Sequence, residues 1–426
     1  MSSPSPLSSA AAAPMPPALV VLVLSLLLGL QPVTTDLYLP ALPSITQGFG
    51  AGMPQAQLTL TALLLAFGLS QLVWGPLSDR FGRRPVLLSG TALYVVAAIG
   101  AVSVTSMEAL IVWRTLQGAA MGAGVMGARA VVRDLYNPAD GARIMSKGLT
   151  GLGVIACACA PVGGVLAEHL GWRVALAALA VFGAATLALL AWRFRETLPN
   201  KNPRALEPVA LLRTWGQIVR HPTFLSYTLL ATTSYGGLFT FLATSSFVFI
   251  GVLGLSRPAY GLVMLTMSLA YIVGTFLCRR LLPRFGVRRT VAIAGACTLT
   301  AGTTMGLLAL AGVQHVAAIM LPFYLFMLGH GVHQPCGQSG AVGPFPQAAG
   351  AASALSGFLM MVAAFFTGGW LGRSLAEHPG SVTPLTHGVW FWSVLIALTA
   401  WTLVQRYGEA RPAPQRMPDP AAPRAG

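Results

Sequence analysis

Of the eleven acidic residues in this chain of 426, Asp36 alone falls well inside a long apolar run, "VLSLLLGLQPVTTDLYLPALPSI". A charge at mid-bilayer costs about 2.5–3.5 kcal/mol on insertion scales, so an acid placed there marks a proton site, an ion site or a helix end held by backbone donors. Arg114 is the basic residue well inside a second apolar run, with Arg129 at that run's inner end, and Gln117 follows Arg114 three positions later on the same helix face. If the runs are helices, Asp36 and Arg114 fall at similar depth, near enough to pair. An arginine neighbour favours the carboxylate and burial favours the protonated acid. Such opposing influences suit a proton-coupling pair, Asp36 with Arg114 as its modulator. A structural anchor bonded to carbonyls is the other reading of Arg114.

A second group lies in "GHGVHQPCGQSG", where His330 and His333 share a helix face with Gln334 nearby. Two histidines could relay protons or serve helix packing, and no acid stands near them in sequence to complete a metal site. Tyr38, Tyr235 and Phe239 are aromatic candidates for the wall of a substrate cavity, with Gln117, His333 and Gln334 as its polar members. The five cysteines lie in or at the ends of apolar runs and imply neither a disulfide framework nor a metal clamp. No metal and no cofactor is expected.

The elements that must position these residues are membrane spans. The chain is 55% hydrophobic and 9% charged, with mean hydropathy +0.71, whereas soluble domains keep about 25% charged residues. Spanning a hydrocarbon core takes about 20 apolar residues. Twelve segments qualify, near 18–40, 55–77, 84–105, 108–131, 143–167, 172–193, 222–249, 258–281, 288–311, 315–339, 348–373 and 386–406. The expected organisation is a 1–17 cytoplasmic tail, a six-helix bundle over 18–193, a cytoplasmic loop over 194–221, a second six-helix bundle over 222–406 and a 407–426 tail. Both tails are compositionally disordered.

Net charge is +15, yet the basic residues do not form a nucleic-acid surface, and no nucleic-acid partner is expected. Instead, 22 of the 26 Lys and Arg fall in the connections after spans 2, 4, 6 and 8 and after span 12. By the positive-inside rule those connections and both termini are cytoplasmic.

The densest of these clusters is "SDRFGRRPV", residues 78–86. "RFGRR" (Arg80–Arg84) recurs as "RFGVRR" (Arg284–Arg289), each between the second and third helix of its half. "GGVLAEH" (Gly163–His169) is echoed by "GGWLGRSLAEH" (Gly368–His378), each at the end of a fifth helix. Two echoes in matching places point to a duplicated half, an architecture found among transporters.

Gly75, Pro76, Asp79, Arg80, Gly82, Arg83 and Arg84 spell G-P-L-S-D-R-F-G-R-R, which closely resembles the signature loop of the major facilitator superfamily. "DLYLPALPSI", "RTLQGAAMGAG" and "GPFPQAAGAASALSGF" resemble the drug:proton antiporter branch of that family, specifically its Bcr/CflA-type multidrug efflux transporters. The resemblance covers about residues 18 to 406. It implies the major facilitator fold, an all-α polytopic protein of twelve transmembrane helices in two pseudo-symmetric bundles. It also implies that Asp79, Arg80 and Arg84 belong to a charge network that latches one conformation. The second copy has Pro283 where the first has Asp79, so only the N-terminal latch is complete. The helix-5 motif departs from the branch's pattern: Pro161 is separated by one residue from Gly163 and Gly164.

The function expected is proton-coupled export of small lipophilic drugs across the bacterial inner membrane, energised by the proton gradient, by a monomer. A proton-coupled exporter or uptake symporter of a small metabolite would share the same helix pattern. A membrane-embedded enzyme is the competitor from another class, but the chain contains no G-x-S-x-G, H-E-x-x-H or P-loop motif. With one evident acid, one proton per turnover and a neutral or weakly charged substrate are expected. Moving one charge through about 150 mV yields about 3.5 kcal/mol, enough for a gradient of roughly a few hundredfold in a neutral substrate.

Overall fold

The computed structural model describes residues 15–408 apart from 137 and 199. The predicted tails therefore lie outside the described residues, except for 15–17 and 407–408. Within lipid every backbone polar group must be satisfied inside the chain, which leaves helices as the solution for long apolar runs. Among the described residues the protein is helical and contains no strand.

The elements are α1 (Pro17–Thr35), a 3₁₀ turn (Leu39–Ala41), α2 (Leu42–Gly48), α3 (Met53–Phe81), α4 (Arg83–Val102), α5 (Met107–Leu135), α6 (Pro138–His169) and α7 (Trp172–Arg193). There follow α8 (Pro208–Val219), α9 (Pro222–Ser246), α10 (Arg257–Leu310), α11 (Val316–Val342), α12 (Ala349–Glu377), α13 (Thr383–Trp401) and α14 (Leu403–Tyr407). Among the described residues, ten helical stretches are long and apolar enough to cross a membrane. One of them, the 54-residue α10, holds two spans divided at Gly286, whose φ of 69° interrupts the helix. The 29-residue α5 completes the twelve by its length, its composition diluted by Glu108, Arg114, Arg129 and Arg133. The polar connection expected as a loop over 194–221 contains a short helix, α8.

The chain forms two compact units. Among the described residues, the first runs through Glu207 and takes in Leu255–Leu265; the second comprises Pro208–Gly254 and the described residues from Thr266 onward. In the first, α5 packs along α3 and α4, α1 lies against α6, and α4 lies against α7. In the second, α9 is the central element, contacted by α11, α12 and α13.

Small residues let these helices approach closely, as in membrane bundles generally. A Cβ at Gly118 of α5 would run into the Leu63 backbone of α3. The helix-5 motif, on α6, does the same work twice. Gly163 abuts the Leu37 carbonyl just after α1, and Gly164 abuts the backbone of Arg257 and Pro258 at the start of α10.

Candidate functional site

The first span is not one continuous helix. Pro32 lies inside α1, which ends at Thr35, and Pro40 and Pro43 follow. Asp36 is the C-cap of α1, and its backbone N–H still bonds the Pro32 carbonyl. A run expected to be helical through residue 40 is therefore broken at the acid. Proline supplies no N–H and disfavours helix in the residue before it.

Asp36 and Arg114 are not paired. Asp36 Oδ1 accepts a 2.7 Å hydrogen bond from Thr35 Oγ1, and among the described residues no ion pair involves Asp36. Arg114 turns elsewhere. Its Nη1 donates to Gln117 Oε1 at 2.9 Å and its Nη2 to the Thr34 carbonyl at 2.8 Å. Its guanidinium carbon lies 4.2 Å from the centroid of the Tyr38 ring.

The Tyr38 hydroxyl donates to Thr59 Oγ1 at 2.9 Å, and Tyr94 and Thr34 share a 2.7 Å hydrogen bond through their hydroxyls. Arg114, Gln117, Tyr38, Tyr94, Thr34 and Thr59 are all fully buried. The result is a closed polar core in the first unit, built around a cation with no carboxylate. The Nε of Arg114 and the Nε2 of Gln117 make no hydrogen bond. Unmet donors in a buried core are costly, so this core has capacity for a further acceptor.

Thr34, Thr59 and Tyr94 were not singled out from sequence. Threonines and tyrosines in apolar runs give no periodic signal that separates packing from bonding. The helix-5 motif stands beside the acid rather than beside Arg114, since Gly163 meets the backbone of Leu37, the residue after Asp36.

The charged turn forms the second half of the site. Gly82, with φ 111°, joins α3 to α4, and a Cβ there would overlap the Glu196 carboxylate. Arg83, 2% exposed, is the centre of the network. Its Nη1 lies 2.7 Å from Asp79 Oδ1 and its Nε 2.6 Å from Asp134 Oδ2, while Nη1 also donates to Ser78 Oγ at 3.0 Å.

Arg84 bonds backbone instead, donating to the carbonyls of Phe194 (2.9 Å) and Ala191 (3.1 Å). Arg80 is directed away from the network, its guanidinium over the Phe81 ring at 5.5 Å. Gly75, one turn before Asp79 on α3, sits near Met126 of α5.

Glu196 accepts four backbone N–H bonds, from Arg83 (2.8 Å), Arg84 (3.1 Å), Thr197 (3.0 Å) and Leu198 (3.0 Å). Two of these are the first N–H groups of α4, where the helix dipole favours an anion. Burial pushes the Glu196 carboxyl upward, but the four amides outweigh it and hold the group below its ordinary value.

Asp134 and Glu196 were not picked out from sequence. Asp134 was legible only as one more acid at an inner helix end, and Glu196 as part of a polar connection.

In the second unit, His330 Nδ1 lies 2.8 Å from Ser234 Oγ, and its ring sits near Tyr271 and Phe326. Gln334 Nε2 donates to the Ala231 carbonyl at 2.9 Å and its Oε1 accepts from Gln338 at 3.1 Å. His333 is fully buried. Tyr235 and Phe239 stack at 6.4 Å between centroids on α9. The α9 and α11 candidates thus share one helix pair, separate from the Arg114 core. Among the described residues no cluster of three or more His, Cys, Asp or Glu is arranged to hold a metal ion.

Twelve spans, an acid at a broken helix and a charged turn between the second and third helices define a multi-pass membrane transport protein. Residues 24–368 match the Major Facilitator Superfamily, and the chain belongs to that family. It is 31% identical over 343 residues to Multidrug resistance protein D of Escherichia coli, covering 80% of this chain and 86% of that protein. It is 30% identical over 342 residues to the Chloramphenicol resistance protein of Pseudomonas aeruginosa, covering 79% of this chain and 80% of that one. Among solved structures, the xylose transporter XylE from E. coli superposes with TM-score 0.72 at 14% identity, over 92% of this chain and 97% of that one. At that identity the likeness concerns the fold.

Proposed function

We propose that this chain exports small lipophilic drugs across the bacterial inner membrane in exchange for protons, by alternating access of two six-helix bundles over residues 18–193 and 222–406. Both termini face the cytoplasm in this reading, as the distribution of Lys and Arg requires. The relatives named for drug resistance support the substrate class. The observation that carries the coupling is Asp36: a carboxyl group at a break in the first span, bonded to Thr35 and paired with no cation among the described residues.

Taking up or releasing a proton at Asp36 changes the local charge by a full unit that no neighbour cancels. In lipid such a change is strongly felt, so it can bias which conformation is stable. Arg114 modulates that site from the adjacent polar core, where its unmet Nε and the Nε2 of Gln117 can receive an acceptor. The substrate-cavity candidates fall in two groups, Tyr38 and Gln117 in the first unit and Tyr235, Phe239, His333 and Gln334 in the second, and each group is proposed to meet substrate from its own unit. The turn at Gly75, Asp79, Arg80, Gly82, Arg83 and Arg84 latches one conformation, with Asp134 and Glu196 as its counter-charges. Gly163 holds α6 against the broken end of α1, and Pro161 and Gly164 hold it against the start of α10. One proton moves per turnover, and neutral or weakly charged substrates are preferred.

The test is proton release from inside-out vesicles on addition of candidate drugs, with wild type beside Asp36→Asn. Release in wild type that vanishes in the variant supports antiport through Asp36. Release in both moves the proton site to another group. Release in neither removes the drug substrate and favours metabolite transport.

A further inference from the structure

The ends of α12 and α13 enclose an open pocket of about 540 Å³, within the range of small-ligand sites. Its lining includes the charged Arg373 and Glu377 and the imidazoles of His378 and His387, with the Phe366 and Trp370 rings on its apolar side. Phe366 is 70% exposed and Trp370 47%, so that wall opens where lipid would lie.

Arg373 and Glu377 are one helical turn apart, but no ion pair joins them, and among the described residues neither pairs with another charge. Arg373 Nε reaches only the Gly369 carbonyl at 3.4 Å. His378 Nδ1 lies 3.1 Å from the Ser374 carbonyl, leaving its other nitrogen open. His387 Nε2 is buried with no hydrogen-bond partner.

In the duplicated segment of the first unit the corresponding groups are engaged with protein partners. There "GGVLAEH" is followed by Trp172 and Arg173, and every charge is engaged. Glu168 Oε2 accepts from Arg257 Nη1 at 2.7 Å. Arg173 stacks on Trp172 at 4.1 Å and donates to the Val104 carbonyl at 3.2 Å. In the second copy the same kinds of side chain surround space instead.

We propose that this pocket binds a phospholipid headgroup carrying both a phosphate and a primary ammonium. Arg373 donates to the phosphate oxygens, Glu377 accepts from the ammonium, and the glycerol and upper acyl chain lie along Trp370 and Phe366. One arginine and one glutamate sum to zero charge, which matches a zwitterion better than an anionic headgroup. Arginine and tryptophan at a span end are suited to the bilayer interface, where each has an apolar body and a polar tip. With the orientation argued above, the pocket opens to the outer leaflet.

The experiment is native mass spectrometry of the purified full chain with phosphatidylethanolamine and phosphatidylglycerol in equal amounts. The variants are Glu377→Gln and Arg373→Gln, both exposed polar exchanges. Thermal midpoints in phosphatidylcholine confirm that each variant is folded.

Wild type is expected to retain the ethanolamine lipid about tenfold over the glycerol lipid, a difference of about 1.4 kcal/mol. Glu377→Gln should erase that preference, and Arg373→Gln should weaken retention of both lipids. A wild-type preference for phosphatidylglycerol overturns the proposal, as does a preference that survives Glu377→Gln or retention that Arg373→Gln leaves unchanged. Soluble O-phosphoethanolamine should not displace the lipid at equal concentration; if it does, the site takes a free aminophosphate and the lipid assignment fails.

Discussion

The two arginine-rich turns, Asp79–Arg84 in the first unit and Pro283–Arg289 in the second, differ in what surrounds them more than in their own sequence. In the first, Asp79, Asp134 and Glu196 converge on Arg83 and on the start of α4. In the second, Pro283 replaces the acid, and among the described residues no ion pair reaches Arg279, Arg280, Arg284 or Arg289. The glycines repeat the contrast. Gly82 has both a positive φ and the Glu196 carboxylate where a Cβ would go, whereas Gly286 has φ 69° and open space around it. The same local chain reversal thus serves a tightly bonded joint in one half and a solvated turn in the other. The two copies share the backbone turn, and only the first carries the carboxylates.

The largest break in that comparison should come from Arg83. Arg83→Gln leaves the buried Asp134 without its cation and Asp79 with only the exposed Arg133 at 3.9 Å. Breaking a buried pair from one side costs about 3–5 kcal/mol, so a marked fall in thermal midpoint and in transport is expected. Arg289→Gln, in the corresponding arginine pair of the second copy, should leave the midpoint unchanged. Equal effects at the two sites would remove the distinction.

Next comes the glycine pair. Backbone strain alone does not separate Gly82 from Gly286, since a side chain at positive φ costs about 1–3 kcal/mol at either position. Gly82→Ala should exceed Gly286→Ala because it also displaces Glu196 from the α4 N-terminus. Comparing the two midpoints, each with and without Glu196→Ala, isolates that excess. It should disappear in the Glu196→Ala background, where nothing is left for the new Cβ to displace.

The smallest effect is a pH dependence. Glu196 is held below its ordinary value of 4.5, so its contribution is fully present above about that pH. It is lost as pH falls through the lower folded value. Wild type should lose stability relative to Glu196→Gln only on acidification below pH 4.5. A difference that narrows on raising the pH instead would contradict the arrangement at the α4 N-terminus.

Much of this was legible in the chain itself. Long apolar runs, the halves repeating at Arg80–Arg84 and Arg284–Arg289, and Asp36 as an isolated acid are one-dimensional features. Length, composition and spacing report them directly. The break at Asp36 was partly visible too, since Pro32, Pro40 and Pro43 bracket it.

Partnerships were harder to read. Arg114 and Asp36 are each the isolated charge of an apolar run, and depth alone brings them together. Depth says nothing of azimuth. The actual partners of Arg114 are the Thr34 carbonyl, the Gln117 side chain and the Tyr38 ring. A backbone carbonyl has no sequence signature at all.

In the charged turn, Arg83, Arg84 and Arg80 are nearly equivalent as letters. The structure separates them by direction: Arg83 inward to two carboxylates, Arg84 along the carbonyls at the end of α7, and Arg80 outward.

The sequence by itself determined that this protein is a twelve-span membrane bundle with a duplicated half, because hydrophobic length and charge placement act locally and add along the chain. Only the tertiary structure decided which charges meet. A hydrogen bond or ion pair depends on distances of about 3 Å and on direction. Those are set by how helices distant in sequence rotate and pack against one another, as Arg83 with Asp134 and Glu196 at the α4 N-terminus show.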